Sequence, residues 1–314
     1  MYIGIDLGGT NIAIGIVDDN GKIVAMDSTP TLAQRGYKEI IKDMASLSKK
    51  IMVDNNISED EIKGVGIGCP GTVDSKTGTV LFSNNIRMEN VPLAEEFKQY
   101  FDVNVRIMND ADAAAYGEYA VNGNDVDSFI FITLGTGVGG GIIINKKVYN
   151  GFNSAGGELG HITLVHDGVP CNCGNIGCWE AYASVTALIR QTKEAMEKNP
   201  ESLMHKYLGN DGNVNGRTAF DAAKAGDEVA LNVVKQYREY VASGLVSIIN
   251  IFQPEKLVVG GGISKEGDYL IKPIVEYCYE REYNKYGKKT QISVATLFND
   301  AGIIGAALFS KEEN

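Results

Sequence analysis

The chain has no apolar run approaching eighteen residues, which excludes a membrane-spanning helix. It has no basic stripe either. Its 29 Lys and Arg are scattered among 40 Asp and Glu, and the formal charge of −11 opposes binding to nucleic acid. The opening residues, Met1-Tyr2-Ile3-Gly4-Ile5-Asp6, lack the basic start and long apolar stretch of a signal peptide, so a cytoplasmic protein is expected. Gly-x-x-x-x-Gly-Lys-Ser/Thr is missing, and no Gly-x-Gly-x-x-Gly follows the first strand. Neither a P-loop nor a dinucleotide fingerprint is therefore supported. Cys-x-x-Cys is missing too, which removes a redox pair. What remains is an ordinary globular composition, 44% hydrophobic and 22% charged. At 314 residues it is expected to form two domains, each burying its own core.

The most informative segment runs from Glu158 to Glu180. It opens Glu158-Leu159-Gly160-His161 and closes Cys171-Asn172-Cys173-Gly174-Asn175-Ile176-Gly177-Cys178-Trp179-Glu180. Three thiolates and one imidazole make a closed tetrahedral set for structural Zn²⁺. Gly174 and Gly177 supply the bends that let Cys173 and Cys178 converge. The competing reading is buried, unliganded cysteines, but Asn172, Asn175 and the glycines do not make an apolar core face. His166 is a reserve ligand. Cys69 and Cys278 have no partner motif and read as plain core or surface thiols.

A second signal is a repeat. Ile3 and Ile5 alternate around Gly4, Gly8-Gly9 break the run, and Ile12, Ile14 and Ile16 resume before the hairpin signal Asp18-Asp19-Asn20-Gly21. About 127 positions later Phe129–Ile132 leads to Leu134-Gly135-Thr136-Gly137, then to Ile142–Ile144 and the polar turn Asn145-Lys146-Lys147. Strand, glycine-threonine turn, strand, polar turn: the order is the same, and it predicts two related α/β domains. Helical spacing is expected at 37–55, 91–101, 111–119, 181–198, 219–252 and 302–311, with strands at 65–69, 103–108 and 256–259. The polar stretch 199–216 reads as a surface excursion. Tyr237 and Tyr240 read as packing or a subunit contact.

Three glycine turns follow strands: Asp6-Leu7-Gly8-Gly9-Thr10-Asn11, Gly135-Thr136-Gly137 and Gly260-Gly261-Gly262. A turn without Cβ atoms leaves backbone N–H groups open to phosphate, and threonine adds a hydroxyl donor. A plain hairpin turn is the competing reading for each alone. Two equivalent turns from a duplicated fold predict a nucleotide triphosphate clamped between lobes.

These motifs together resemble the ROK family of repressors, open reading frames and sugar kinases, over essentially the whole chain. The pattern is most similar to the family's bacterial glucokinases. The resemblance implies an α/β, two-lobed actin and hexokinase-like ATPase fold of duplicated ribonuclease H-like domains with a zinc loop. It places an N-terminal lobe at 1–118, a C-terminal lobe at 119–299 with the loop at 161–180, and a closing helix at about 300–314 packing back on the first lobe. It implies ATP with Mg²⁺, a hexose, and a homodimer or homotetramer. Asp110 would be the catalytic base; Asn84, Asn109, Asp110, Glu158, His161 and Glu180 would contact the sugar. Asp6, Gly8, Gly9, Thr10, Asn11, Gly135, Thr136, Gly137, Gly261 and Gly262 would serve the nucleotide, with Asp6 near Mg²⁺ through water. Read without the resemblance, Asp110 is a plain helix N-cap.

Two positions depart from the family pattern. Asp112 stands where Asn is common and is expected on the helix exterior, outside the catalytic set. Trp179 replaces a smaller residue; pointing inward, it would crowd a 2-acetamido group and favour glucose. Kinases of N-acetylmannosamine, N-acetylglucosamine, fructose or allose are the alternatives. A sugar-sensing repressor is disfavoured, because the first phosphate strand begins at Tyr2 with no helix-turn-helix ahead of it.

Overall fold

The computed structural model describes residues 1–312. The last two residues of the expected closing segment, 313 and 314, lie outside the described residues. The chain begins with a meander of β1 (Tyr2–Leu7), β2 (Asn11–Val17) and β3 (Ile23–Pro30). Then come α1 (Tyr37–Asp54), β4 (Gly64–Cys69), the short strands β5 (Thr72–Asp74), β6 (Thr79–Ser83) and β7 (Met88–Val91), α2 (Leu93–Lys98), β8 (Asn104–Asn109) and α3 (Asp110–Asn122). A second meander follows, β9 (Ser128–Leu134), β10 (Val138–Ile144) and β11 (Lys147–Val148). After the cysteine loop come α4 (Glu180–Ala183), α5 (Val185–Lys198), α6 (Thr218–Lys224), α7 (Glu228–Phe252), β12 (Lys256–Gly260), α8 (Asp268–Arg281), β13 (Gln291–Val294) and α9 (Ala301–Phe309). None of the described helices is long and apolar enough to cross a membrane.

The two main sheets have the same strand order. One runs β3-β2-β1-β4-β8, the other β11-β10-β9-β12-β13. In the first, β1 pairs antiparallel with β2 and parallel with β4, and β4 pairs parallel with β8. β5, β6 and β7 make a separate three-stranded antiparallel sheet. The chain divides into two compact units, Met1–Phe131 with Gly141–Gly157 and Thr296–Asn314, and Ile132–Gly140 with Glu158–Ala295.

In the first unit, α1 lays Ile40, Ile41, Met44, Ile51 and Met52 on a core shared with Ile3, Ile5, Ile14, Val65 and Ile107. α9 is apolar all round and buried from Ile303 to Phe309, as a helix without a polar face must be. Glycines let it approach closely. A Cβ at Gly66 would lie 1.7 Å from the Ala306 carbonyl oxygen, and one at Gly117 of α3 would lie 2.2 Å from that of Ala301.

Several segments differ from the pattern reading. The helix expected over 181–198 is two helices broken at Ser184, whose hydroxyl accepts the Ala187 N–H at 3.1 Å. The one expected over 219–252 breaks at Gly226-Asp227, where Asp227 caps α7 through the Ala230 N–H at 2.7 Å. A side-chain acceptor that satisfies an orphan N–H starts a new helix even where the apolar spacing runs on. The excursion at 199–216 holds a 3₁₀ turn, Leu203–Lys206, that buries Met204 completely.

Candidate functional site

β1, β4 and β8 run parallel, so their carboxyl ends deliver Asp6 and Asp110 to one edge of the first sheet. Asp6 pairs with Gly68 of β4, and the next β4 residue, Cys69, pairs with Asn109 immediately before Asp110. Carboxyl ends of parallel strands are where open α/β sheets hold ligands. The cap of α3 is Asn109, not Asp110. Its Oδ1 accepts the Ala111 N–H at 2.8 Å and the Asp112 N–H at 3.3 Å, while its Nδ2 donates to the Gly71 carbonyl at 3.0 Å. Asp110 is thereby released from capping; its Oδ1 accepts the Ala111 N–H at 2.9 Å, which orients the carboxylate.

Burial raises the Asp110 pKa above the ordinary carboxylate range, against the opposing pull of the Ala111 N–H. Asp6 is pushed up to about 6, by burial first and then by the nearby Asp110 charge. Gly302 of α9 gives Asp6 its room, since a Cβ there would come within 3.3 Å of the carboxyl carbon. Asp112 is buried, which corrects the expectation of a helix-exterior position. The Gly8–Asn11 turn closes through the Gly8 N–H to Asn11 O at 2.9 Å, and the Thr31 hydroxyl donates to Gly8 O at 2.6 Å. Gly9 abuts Asn85, and its neighbour Asn84 is exposed in the β6–β7 turn.

The second unit carries the other group. His161, Cys171, Cys173 and Cys178 bring four donor atoms within 4.8 Å of one another. Nδ1 of His161 is 3.7 Å from Sγ of Cys171, and the sulfurs of Cys173 and Cys178 are 3.7 Å apart. Gly174 and Gly177 have φ of 92° and 78°, in the left-handed region, and a Cβ at Gly177 would collide with the Val165 carbonyl at 1.8 Å. Three thiols and an imidazole at this spacing fit Zn²⁺ in a closed tetrahedral set. His166 stands outside the set, exposed beside Asp167 at 3.2 Å. Cys69 and Cys278 are core thiols. Glu158 lies 4.0 Å from His161 Nε2.

Trp179 does not point toward a ligand. It is completely buried, its Nε1 donates to the Tyr240 carbonyl at 2.9 Å, and its ring lies on Gly244 of α7, where a Cβ would sit 2.0 Å from Cε2. The expectation that it shapes the sugar side is therefore wrong: a glycine 65 residues away makes room for the indole in the core. Tyr237 is core as expected, and Tyr240 packs on Tyr182 with ring centroids 5.0 Å apart.

The Gly135–Gly137 turn is tight, with the Gly135 N–H donating to Gly137 O at 3.0 Å. Gly261, with φ of 88°, passes so close to Leu134 that a Cβ would lie 2.2 Å from its carbonyl oxygen. A cavity of about 610 Å³ is lined by Gly135, Thr136 and Gly262 together with Arg217, Lys224 and Lys265. The three basic residues were missed in the sequence. Arg217 and Lys224 flank α6 and pair with Asp221 and Glu266, so in one dimension they read as a solvated face. The usable signal was a cation at each end of a short helix beside a glycine-rich strand end.

The ROK family model matches residues 2–313. The glucokinase of Halalkalibacterium halodurans is 35% identical over 314 residues, covering 99% of this chain and 95% of that protein. The glucokinase of Thermotoga maritima is 36% identical over 312 residues, covering 99% and 97%. Among solved structures, a ROK family glucokinase from Streptomyces griseus in complex with glucose and AMPPNP matches with a TM-score of 0.81 at 36% identity. That match covers 98% of this chain and 97% of the other.

Proposed function

The chain belongs to the ROK family, with the actin and hexokinase-like fold, and on that premise we propose that it is an ATP-dependent hexose kinase phosphorylating the 6-hydroxyl of glucose. The observation that carries this reading is the placement of Asp110 beside Asp6 at the carboxyl ends of β8 and β1. Asp110 accepts the proton of the sugar hydroxyl as its oxygen attacks the γ-phosphorus, and the leaving group is ADP. Burial makes this carboxylate a stronger base than one in water, and the Ala111 N–H holds its orientation.

The proposed sugar contacts are Asn84, Asn109, Asp110, Glu158, His161 and Glu180. Asn109 has one amide hydrogen committed to Gly71 and the other available. The turns Gly8–Asn11 and Gly135–Gly137, with Gly261 and Gly262, serve the nucleotide; Arg217, Lys224 and Lys265 line the cavity beside the second turn together with Glu266, and a phosphate there would compete with Asp221 and Glu266 for the first two. Asp6 would hold Mg²⁺ through water, and the bound ion supplies neutralisation of phosphate charge. His161, Cys171, Cys173 and Cys178 would hold a structural Zn²⁺ with no position open for substrate, fixing the orientation of His161 beside Glu158.

The choice of glucose is supported by the glucokinase relatives and not by Trp179, whose burial removes the steric argument against acetamido sugars. ADP release with MgATP tests it across glucose, mannose, N-acetylmannosamine, N-acetylglucosamine, fructose and allose. Glucose should have the highest kcat/KM. A clear win for an acetamido sugar would replace the acceptor and keep the kinase. No turnover with any sugar, together with a gel shift on genomic DNA, would favour the repressor reading. A homodimer or homotetramer is proposed, to be read by light scattering.

A further inference from the structure

The Gly135–Gly137 turn and the cysteine loop are joined by one side chain. Glu180 opens α4 two residues after Cys178. Its Oε2 accepts the Val138 N–H at 2.9 Å, and its Oε1 lies 3.7 Å from Sγ of Cys171. Gly137 permits this approach, since a Cβ there would come within 2.2 Å of Oε2. The turn has two further anchors at the start of α5. The Val185 N–H donates to Gly135 O at 2.8 Å, and the Thr186 hydroxyl donates to Thr136 O at 2.7 Å. A cavity of about 210 Å³, lined by Thr136, Cys171, Asn172, Glu180, Thr186 and Arg190, marks where turn and loop meet.

We propose that Glu180 is a positioning residue for the nucleotide: its carboxylate locks the Gly135–Gly137 turn to the cysteine loop, so that nucleotide affinity depends on it. The proposal rests on the assignment of that turn to the nucleotide. Two of the turn's three residues have no Cβ, so little but external bonds stiffens it. Val138 is buried, and without Glu180 its N–H is an orphan donor that the turn must move to satisfy. Oε2 is committed to Val138, and Oε1 accepts from the Cys171 thiol at 3.7 Å; a metal taking that sulfur would free Oε1 for a sugar hydroxyl. One carboxylate then serves both substrates.

The test is calorimetry of MgADP binding to the full, zinc-loaded chain, which requires no phosphoryl transfer. Glu180→Ala should weaken MgADP binding about tenfold. Glu180→Gln keeps a carbonyl acceptor for Val138 and should stay within about threefold of the unsubstituted chain. Hydrogen exchange over 135–140 in the nucleotide-free protein should rise in Glu180→Ala and hold in Glu180→Gln. Should Glu180→Ala lose its fold, seen as red-shifted emission from Trp179, Glu180→Asp replaces it with the same expectation, being one methylene too short to reach Val138. Unchanged MgADP affinity and exchange in every variant would overturn the proposal and leave Glu180 a sugar contact alone. Equal losses in the Ala and Gln variants would overturn it too, since charge and not the acceptor would then matter. An unsubstituted chain that binds no MgADP overturns the kinase reading and this proposal together, a result read before any variant is made.

Discussion

The two main sheets repeat one strand order, but the segments inserted between their strands are built in opposite ways. In the first unit, residues 72–91 form three strands that satisfy one another's backbone and bury Val73, Val80, Met88 and Val91. In the second, the stretch from Glu158 to Trp179 has one 3₁₀ turn and two isolated bridges, Thr163↔Cys178 and Pro170↔Ile176. Its apolar burial is slight apart from Leu159, Cys178 and Trp179. The first insert is supported by its own strand pairs; the second has few, and brings together four donor atoms that could hold an ion. Their chemistry differs in the same way. The repeat offset sets Asp6 of the first copy against Thr133 of the second, so the carboxylate pair belongs to the first copy alone.

The largest effect that would sharpen this comparison is at Asp110. Asp110→Asn keeps shape and polar reach but takes no proton, so kcat should fall roughly 10²-fold or more while sugar KM changes little. Steady-state kinetics at saturating MgATP checks it; turnover near the unsubstituted rate would shift attention to the buried Asp112.

Metal removal comes next. Chelation under denaturant-free conditions, or Cys173→Ser, should release one zinc per chain and raise hydrogen exchange across 161–180. Exchange over 72–91 should stay unchanged. Equal exchange in both inserts before and after metal removal would break the contrast, and metal analysis that finds no zinc would remove its premise.

A smaller effect concerns Asp6. Its folded pKa, about 6, is raised above the unfolded value, so its contribution to stability is complete below the ordinary carboxylate pKa and is lost as pH rises through about 6. Asp6→Asn should therefore stabilise the magnesium-free chain above pH 6, by about 1–3 kcal/mol, and give no gain near pH 3. Denaturant midpoints at the two pH values read this directly. Thr133→Asn, at the matching place in the second copy, should show no such pH dependence.

The smallest expected effect is a null result. Trp179→Phe should change the ratio of kcat/KM for glucose over N-acetylmannosamine by less than about twofold, because the indole is packed on Gly244 in the core. A larger shift would return the residue to the sugar side.

These outcomes bear on how far a sequence can be read. The meanders, the glycine turns and the cysteine loop were legible because each is local: period-two isoleucines, turns that need glycine, and four ligands inside eighteen residues from His161 to Cys178. The three short strands over 72–91 went unread, since three to five residues with polar positions between them make no periodic signal. The direction of Trp179 depends on Gly244, and the basic lining of the larger cavity depends on where α6 comes to rest. Neither is written near the residues concerned. Asn109 as cap and Asp110 as the released carboxylate sit side by side, and only the hydrogen bonds separate their roles.

The position of α9 carries a consequence for biosynthesis. Gly4 of β1 and Gly66 of β4 face the carbonyls of Ile303 and Ala306, so the opening strands close their core on residues made about 240 to 300 positions later. On the ribosome the amino-terminal sheet keeps that face uncovered until α9 has left the exit tunnel. The residues of the second unit end at Ala295, before α9 is made. The exposed interval falls on the part of the chain that carries Asp6 and Asp110.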